Sequence, residues 1–380
     1  MITMEELQGY PVADDKEIRD AHNKAVSLIE HNVDEFFDCF PGANSENDFY
    51  RQTENTDWTE GFWTGELWLA YERNKNDKIK EAALCQVDNF LYRIEHHINT
   101  DHHDMGFLYS PSCVAAYKLT GSEVGKRAAL LAADNLMKRF HEKGQFFQAW
   151  GKMDDKDNYR LIIDCLMNMP LLFWASKVTG DKKYEEKAQA HIKTAMENIV
   201  RDDNSTYHTY FFDMETGKPT KGVTCQGNRD GSAWARGQAW GIYGSAVAYS
   251  KTGNKEYLDI FKRVTKYFME HLPKDLVPYW DFDFDTGSDE PRDSSSGVIA
   301  VCLKWLNILI KMRLNIIRRR LKDCLKQLLI IVPLKTVKSL TDFYFTVHTQ
   351  RKHRIIRVIT AVLMSVIHGE IISIWRHLHV

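Results

Sequence analysis

Ser176-Lys177-Val178-Thr179-Gly180-Asp181 decides the fold, because the chain carries nearly the same turn several times. Tyr117-Lys118-Leu119-Thr120-Gly121-Ser122 comes before it, and Tyr249-Ser250-Lys251-Thr252-Gly253-Asn254 after it. Tyr71-Glu72-Arg73-Asn74-Lys75-Asn76-Asp77 is a degenerate fourth copy. Each glycine is placed to end a helix in the left-handed conformation, where the missing Cβ removes the steric cost. A new helical pattern begins directly after each turn, as over residues 183–200. A helix-ending turn that recurs every ~45 to 75 residues implies repeated helical hairpins. The expected fold class is therefore all-α, a toroid of hairpins with a site in its central funnel. Only residues 206–212 and 278–284 are patterned as strands. A globin-like cluster or an α/β sheet explains the repeated turn less well.

With 380 residues the chain is long enough for one large core or two smaller ones. A net charge of -2 gives no reason to expect nucleic acid or an anionic membrane as partner. Met1-Ile2-Thr3-Met4-Glu5-Glu6-Leu7 has neither a basic nor an apolar region of the kind a secretory signal needs. The seven cysteines are scattered, with no C-x-x-C pair, which points to reduced thiols in a cytoplasmic protein and not to a zinc framework. From Lys304 onward there are fifteen Lys/Arg against three Asp/Glu, so the first 303 residues are clearly acidic. That tail has one proline, Pro333, and one glycine, Gly369. The expected division is a helical domain over 1–303 and a divergent basic tail over 304–380 that reads as an out-of-frame translation.

The chemistry concentrates in the segments between helices. Tyr159-Arg160-Leu161-Ile162-Ile163-Asp164-Cys165-Leu166-Met167-Asn168 sets one carboxylate in an almost unbroken apolar run, read as a buried helix with Asp164 near its start. A buried carboxylate either finds donors or takes up a proton, and a carboxyl protonated near neutral pH is what a general acid needs. Capping of the helix N-terminus is the equally weighted alternative. His96-His97-Ile98-Asn99-Thr100-Asp101-His102-His103-Asp104 is rich in metal ligands but lacks a recognised ligand spacing. The other reading makes Asp104 a second site carboxylate, with the turn at Met105-Gly106 letting backbone approach a ligand. Trp58 and Trp63 are assigned to a loop where they would stack on a ring, and Trp68 to the core. In Trp234-Ala235-Arg236-Gly237-Gln238-Ala239-Trp240, Arg236 offers a planar fork to a carboxylate and Trp240 a face for a sugar. Asp281-Phe282-Asp283-Phe284-Asp285 fails as a calcium loop, because Thr286 and Arg292 stand where Gly and Glu are required.

Together these motifs resemble the unsaturated glucuronyl hydrolases of glycoside hydrolase family 88. The resemblance rests on Trp58-Thr59-Glu60-Gly61-Phe62-Trp63-Thr64-Gly65, His103-Asp104-Met105-Gly106-Phe107-Leu108-Tyr109 and Arg160-Leu161-Ile162-Ile163-Asp164-Cys165-Leu166. It continues through Gly222-Val223-Thr224-Cys225-Gln226-Gly227, Ala233-Trp234-Ala235-Arg236-Gly237-Gln238-Ala239-Trp240-Gly241 and Arg292-Asp293-Ser294-Ser295. It runs collinearly over roughly residues 15 to 303. It implies an (α/α)6 barrel, here incomplete at its C-terminal end, and a cytoplasmic enzyme with no cofactor and no metal. The implied substrates are unsaturated glycosaminoglycan disaccharides from chondroitin, hyaluronan or heparin. The implied chemistry is hydration of the C4=C5 vinyl ether. Asp164 protonates C4 and then activates water, while Asp104 holds substrate and proton in place. Trp58, His208, Gln226, Arg236 and Trp240 line the uronate subsite. The rival readings are an unsaturated rhamnogalacturonyl hydrolase, a sugar isomerase on the same toroid, and an inactive, truncated carbohydrate binder.

Overall fold

The computed structural model describes residues 15–46 and 49–301. The expected boundary at residue 303 and the basic tail lie outside the described residues. Four of the helix-ending turns behave as their sequences require. Gly121, Gly180 and Gly253 adopt φ of 74°, 78° and 71°, and their amides donate to the carbonyls of Tyr117, Ser176 and Tyr249. Lys75 does the same at φ 56° without the glycine advantage, bonding Tyr71 O. Each cap leads almost directly into the next helix.

Those turns join two kinds of helix. α1 (Asp15–Asn32), α3 (Asp77–Glu95), α6 (Glu123–Met137), α8 (Lys183–Ile199) and α10 (Lys255–Glu270) are amphipathic. In α3 the buried positions are Ile79, Ala82, Ala83, Gln86, Val87, Phe90, Arg93 and Ile94, a stripe at helical spacing. α2 (Glu60–Asn74) is instead buried without a break from Glu60 to Ala70, and α9 (Ala235–Thr252) from Ala235 to Ala248. Burial on all sides marks an inner helix. α4 (Met105–Tyr109) continues through a π turn, Ser110–Val114, into α5 (Ala115–Thr120) as a second inner rod. α7 (Met169–Thr179) and α11 (Ser294–Val301) complete the inner set. Inner rods touch inner rods in order, α2 to α4 to α7, and α9 to α11, while α3 touches α6 and α6 touches α8. The described residues thus supply five outer–inner pairs of an (α/α)6 barrel, as expected.

The two rims differ. Short capped turns lead from inner helices to outer ones. At the opposite rim long segments lead from outer helices back to inner ones, and these carry the small sheets. β1 (Phe40–Glu46) pairs with β2 (Phe49–Thr53), and β3 (Phe140–His141) with β4 (Phe146–Phe147). β5 (Arg160–Ile162), β6 (Thr209–Phe212) and β7 (Pro219–Val223) form a three-stranded antiparallel sheet. Every sequence-nominated site residue lies in these long segments or in the first two turns of the inner helices they enter.

Several boundaries differ from expectation. Arg160–Ile162 is a strand, not the start of a helix: Ile162 pairs with Thr209 and Arg160 with Phe211. Its apolar run reflects burial between sheet and barrel, which periodicity alone does not separate from a buried helix. A 3-10 turn, Ile163–Met167, then carries Asp164 ahead of α7. α2 begins at Glu60, so Trp63, assigned to a loop from sequence, lies inside the helix, and Gly61 and Gly65 sit where inner rods cross closely. A Cβ on Gly61 would stand 2.4 Å from the carbonyl oxygen of Phe107. Residues 278–284 form no strand and make only isolated bridges, Tyr279 with Arg292 and Asp281 with Trp234. No helix of the described residues is long and apolar enough to cross a membrane.

Candidate active site

Two buried arginines fix the loops that carry the site. Arg93, on α3, donates to Asn55 Oδ1 (2.7 Å), Asp57 O (2.7 Å), Ile98 O (3.1 Å) and Asn99 O (3.0 Å), and lies 3.6 Å from the buried Glu60 carboxylate. One guanidinium thereby ties the Trp58 loop to the segment approaching Asp104. Arg139 does the equivalent beyond α6, donating to Gln148 O (2.9 Å) and Gly151 O (3.0 Å) and pairing with Asp101. Carbonyls gathered on a buried cation hold loop backbone that no ladder satisfies.

The centre is a carboxyl pair bridged by an imidazole. His103 Nε2 stands 3.2 Å from Asp104 Oδ1 and 3.6 Å from Asp164 Oδ1. Asn168 closes the arrangement from α7, its Oδ1 accepting from Gly106 N (2.8 Å) and Phe107 N (3.2 Å). This requires glycine at 106, where a Cβ would lie 2.3 Å from Asn168 Cα and 2.8 Å from Met167 O. The glycine therefore admits the Asn168 backbone, not a ligand as expected from the sequence. Since backbone atoms cannot yield as a flexible side chain would, Gly106→Ala should separate the two carboxyls. We expect turnover to fall about a hundredfold and stability by about 1–3 kcal/mol, measured as kcat and as the denaturation midpoint.

The two acids are driven apart electrostatically. Burial and then the Asp104 charge hold Asp164 well above the usual carboxylate range, and Asp164 Oδ1 receives no hydrogen bond. It caps no helix, so the alternative expectation from sequence does not hold. Burial alone would raise Asp104 too. The His103 ring, the His102 ring and the Asn168 amide outweigh it and keep Asp104 below its ordinary value. Burial pushes His103 down to about 4, with Asp104 opposing, so the ring is neutral near pH 7. The pair is set to carry one proton, on Asp164.

The remaining nominated residues are each fixed by contacts of their own. Phe107 on α4 makes edge contacts to Trp58, in the loop before α2 (5.6 Å between centroids), and to Trp240 on α9 (5.6 Å). His208 follows the same sheet as Asp164: its carbonyl accepts from Ile163 N at 3.0 Å. The Cys225 amide donates to His208 Nδ1 (3.2 Å), and the Gln226 side-chain nitrogen lies 3.3 Å from His208 Nε2. Burial and then Arg160 push His208 down to about 4. Arg236 is clamped by Asp293, with Nε at 3.1 Å and a second nitrogen at 3.0 Å from Oδ2. Asp293 is held in turn by Ser295 Oγ and Ser296 N. Trp63 does not join them. It is buried within α2 and donates to Phe36 O at 3.0 Å, which makes it core as Trp68 is. His96 stacks on Tyr92, and His97 is exposed at φ 53°.

Sequence reasoning missed His103, Asn168 and Asp293 as individual members, although each lies inside or beside a motif it singled out. The Asp281 motif also has a purpose. Buried Asp281 accepts from Asn228 N (2.8 Å) and Ser232 Oγ (2.7 Å), and Asp283 pairs with Arg229 at 2.8 Å, which fixes the loop bearing Gln226.

His103, Asp104 and Asp164 each offer a donor atom within 4.8 Å of the others, the ligand set of a possible cation site. Metal binding needs both carboxyls ionised. The raised Asp164 and its oxygen without a donor suit a held proton better.

The chain is similar to known proteins along most of its length. The sequence model of Glycosyl Hydrolase Family 88 matches residues 29–305. An unsaturated chondroitin disaccharide hydrolase of Streptococcus pneumoniae is 49% identical over 307 residues, 79% of this chain and 78% of that protein. An unsaturated glucuronyl hydrolase from a Bacillus species is 43% identical over 279 residues, 73% of this chain and 74% of its own. A crystal structure of a variant unsaturated glucuronyl hydrolase from Streptococcus agalactiae, complexed with dGlcA-GalNAc6S, superposes with a TM-score of 0.79 at 36% identity, covering 96% of this chain and 94% of that one.

Proposed function

We propose that this chain, which belongs to Glycosyl Hydrolase Family 88, removes the 4,5-unsaturated uronic acid from the non-reducing end of glycosaminoglycan oligosaccharides. The carrying observation is the divided carboxyl pair, one acid held up by burial and the other held down by two histidines. Asp164 gives its proton to C4 of the vinyl ether, and positive charge develops at C5 and the ring oxygen. The same residue, now a carboxylate, accepts a proton from the water that adds at C5. The hemiketal so formed opens and releases the partner sugar. Asp104 stays ionised throughout and stabilises the proton on its neighbour. Because one residue is acid and then base, the carboxyl separation that distinguishes retaining from inverting glycosidases has no bearing.

The other nominated residues bind. Trp58 and Trp240 flank the unsaturated ring, and Arg236, oriented by Asp293, faces its carboxylate together with His208 and Gln226. Inner helices start at Glu60, Met105, Met169 and Ala235 around the same rim, and their N-terminal amides favour an anionic sugar. Chondroitin, hyaluronan and heparin fragments all present this uronate, and a cytoplasmic location fits the buried free thiols Cys113 and Cys165.

The ultraviolet absorbance of the conjugated uronate tests the proposal. It should decay when unsaturated chondroitin disaccharide is added and stay constant if the reading is wrong. Treatment with a chelator should leave the rate within about twofold, since the proton, not a cation, occupies the pair; a metal-restorable loss would assign the three donors to an ion. The pH profile follows from the two shifts. Activity needs Asp104 ionised and Asp164 protonated, so it should fall on the acid side below the ordinary carboxylate range and on the alkaline side well above it. In Asp104→Asn the charge that raises Asp164 is gone, and the alkaline limb of the residual activity should move to lower pH.

A further inference from the structure

One buried histidine takes no part in the chemistry proposed above. His191 sits on α8, an outer helix that packs on β4, and no part of it reaches solvent. The Phe147 amide donates to its Nδ1 at 3.0 Å, and the Phe147 and His191 rings lie 5.3 Å apart. Burial and then the His103 ring push His191 down to about 3, so it is neutral near pH 7. A neutral imidazole that accepts at Nδ1 carries its proton on Nε2. That Nε2–H is buried and has no acceptor among the described residues. A buried donor left without an acceptor costs stability, and an apolar ring would fill the same space without that cost.

His103 offers the complementary atom. Its Nε2 faces the carboxyl pair, 3.2 Å from Asp104 Oδ1, while its Nδ1 is buried and has no partner among the described residues. The segment running on from β4 places both histidines. On one edge Gln148 N donates to Arg139 O; on the other, Phe147 N meets the His191 ring and Ala149 O receives His103 N at 2.8 Å. The two residues are thus neighbours along one edge, and the His103 charge acts on His191. With its proton on Nε2, His103 donates toward Asp104. With the proton on Nδ1, a lone pair would face that carboxylate instead. The structure therefore sets a donor without an acceptor behind an acceptor without a donor.

We propose that His191 is a positioning residue that acts through His103. One buried water accepts from His191 Nε2–H and donates to His103 Nδ1, which holds the His103 proton on Nε2, aimed at Asp104. Two polar partners are enough to hold a water in a buried polar site. His191 touches neither substrate nor reacting atom. Its effect on turnover rests on the function proposed above, whereas the His103 tautomer is a property of the chain alone.

Two variants separate this role from packing. Asparagine can set its amide oxygen near the place of Nδ1, so His191→Asn keeps an acceptor for Phe147 N and loses the Nε2 donor. Glutamine can set its amide nitrogen near the place of Nε2, so His191→Gln keeps the donor. His191→Asn should lower kcat on unsaturated chondroitin disaccharide about tenfold with KM changed less than about twofold, and His191→Gln should stay within about threefold of the parent. Nitrogen NMR of histidine-labelled protein at pH 7, with the His103 signals assigned through His103→Gln, reads the tautomer directly. The proton should reside on Nε2 in the parent and in His191→Gln, and be divided between the nitrogens in His191→Asn. A parent with the proton on Nδ1, or a folded His191→Asn with kcat and tautomer unchanged, overturns the proposal. So does activity kept by asparagine and lost by glutamine, which would leave His191 only the Phe147 amide to hold. If His191→Asn fails to fold, His191→Gln decides, because loss of either kcat or the tautomer in that variant also overturns the link. A parent with the Nε2 tautomer, disturbed in His191→Asn, that consumes no disaccharide would sink the proposed function and leave the link standing.

Discussion

Asp164→Asn should lower turnover of the unsaturated disaccharide by about 10³-fold or more, because the substitution removes the acid and the base at once. The same change should raise the melting temperature near neutral pH, an outcome that simple damage to the fold would not give. The sign follows from linkage. In the unfolded chain Asp164 ionises in the ordinary carboxylate range, whereas in the folded chain it ionises well above that range. Between the two values the folded state binds the extra proton, so stability falls as pH rises through this window. Asparagine has no proton to lose and escapes the loss. The difference in melting temperature between variant and parent should therefore grow from acid toward alkaline pH. A variant that is inactive and also less stable at every pH would mean that Asp164 is a structural acid.

Arg93→Met should be the most destabilising single change at the rim. Methionine keeps the packing of the arginine stem and removes its donors. Asn55 Oδ1 and the carbonyls of Asp57, Ile98 and Asn99 lose their partner together, and the buried Glu60 carboxylate loses its countercharge. Breaking a buried pair in this way costs about 3–5 kcal/mol. Denaturant unfolding measures it directly. A cost near zero would mean that the loops are held by packing alone. Where the variant remains folded, KM should rise more than kcat falls, because Arg93 positions the Trp58 loop and touches no reacting atom.

The helical framework was legible because its signal is local. Gly121, Gly180 and Gly253 announce left-handed caps whatever the tertiary context, and the repeat of the cap gives the hairpin order. Asp164 and Asp104 were legible as carboxylates stranded in apolar or glycine-bearing segments. What sequence did not reveal depends on distant neighbours. Arg160–Ile162 became a strand because β6, about fifty residues later, supplies its partner, and an apolar run has no period that says so. Trp63 reads as a ligand platform from sequence because its Gly/Thr-bearing segment has the composition of a loop. With the helix beginning at Glu60, its ring turns inward to Phe36. Arg93 on α3 and Arg139 just beyond α6 carry no local mark of burial in the sequence, and the loops folded over them make them structural.

The most direct test of the central claim, that Asp164 protonates carbon and not the glycosidic oxygen, is turnover in deuterium oxide with the product read by NMR and mass spectrometry. Protonation of the vinyl ether predicts one deuterium bonded to C4 of the released uronate in every turnover. A product without carbon-bound deuterium would mean that water cleaves the glycosidic bond at the anomeric carbon, and neither Asp164 as the acid toward carbon nor Asp104 as its stabilising neighbour would stand.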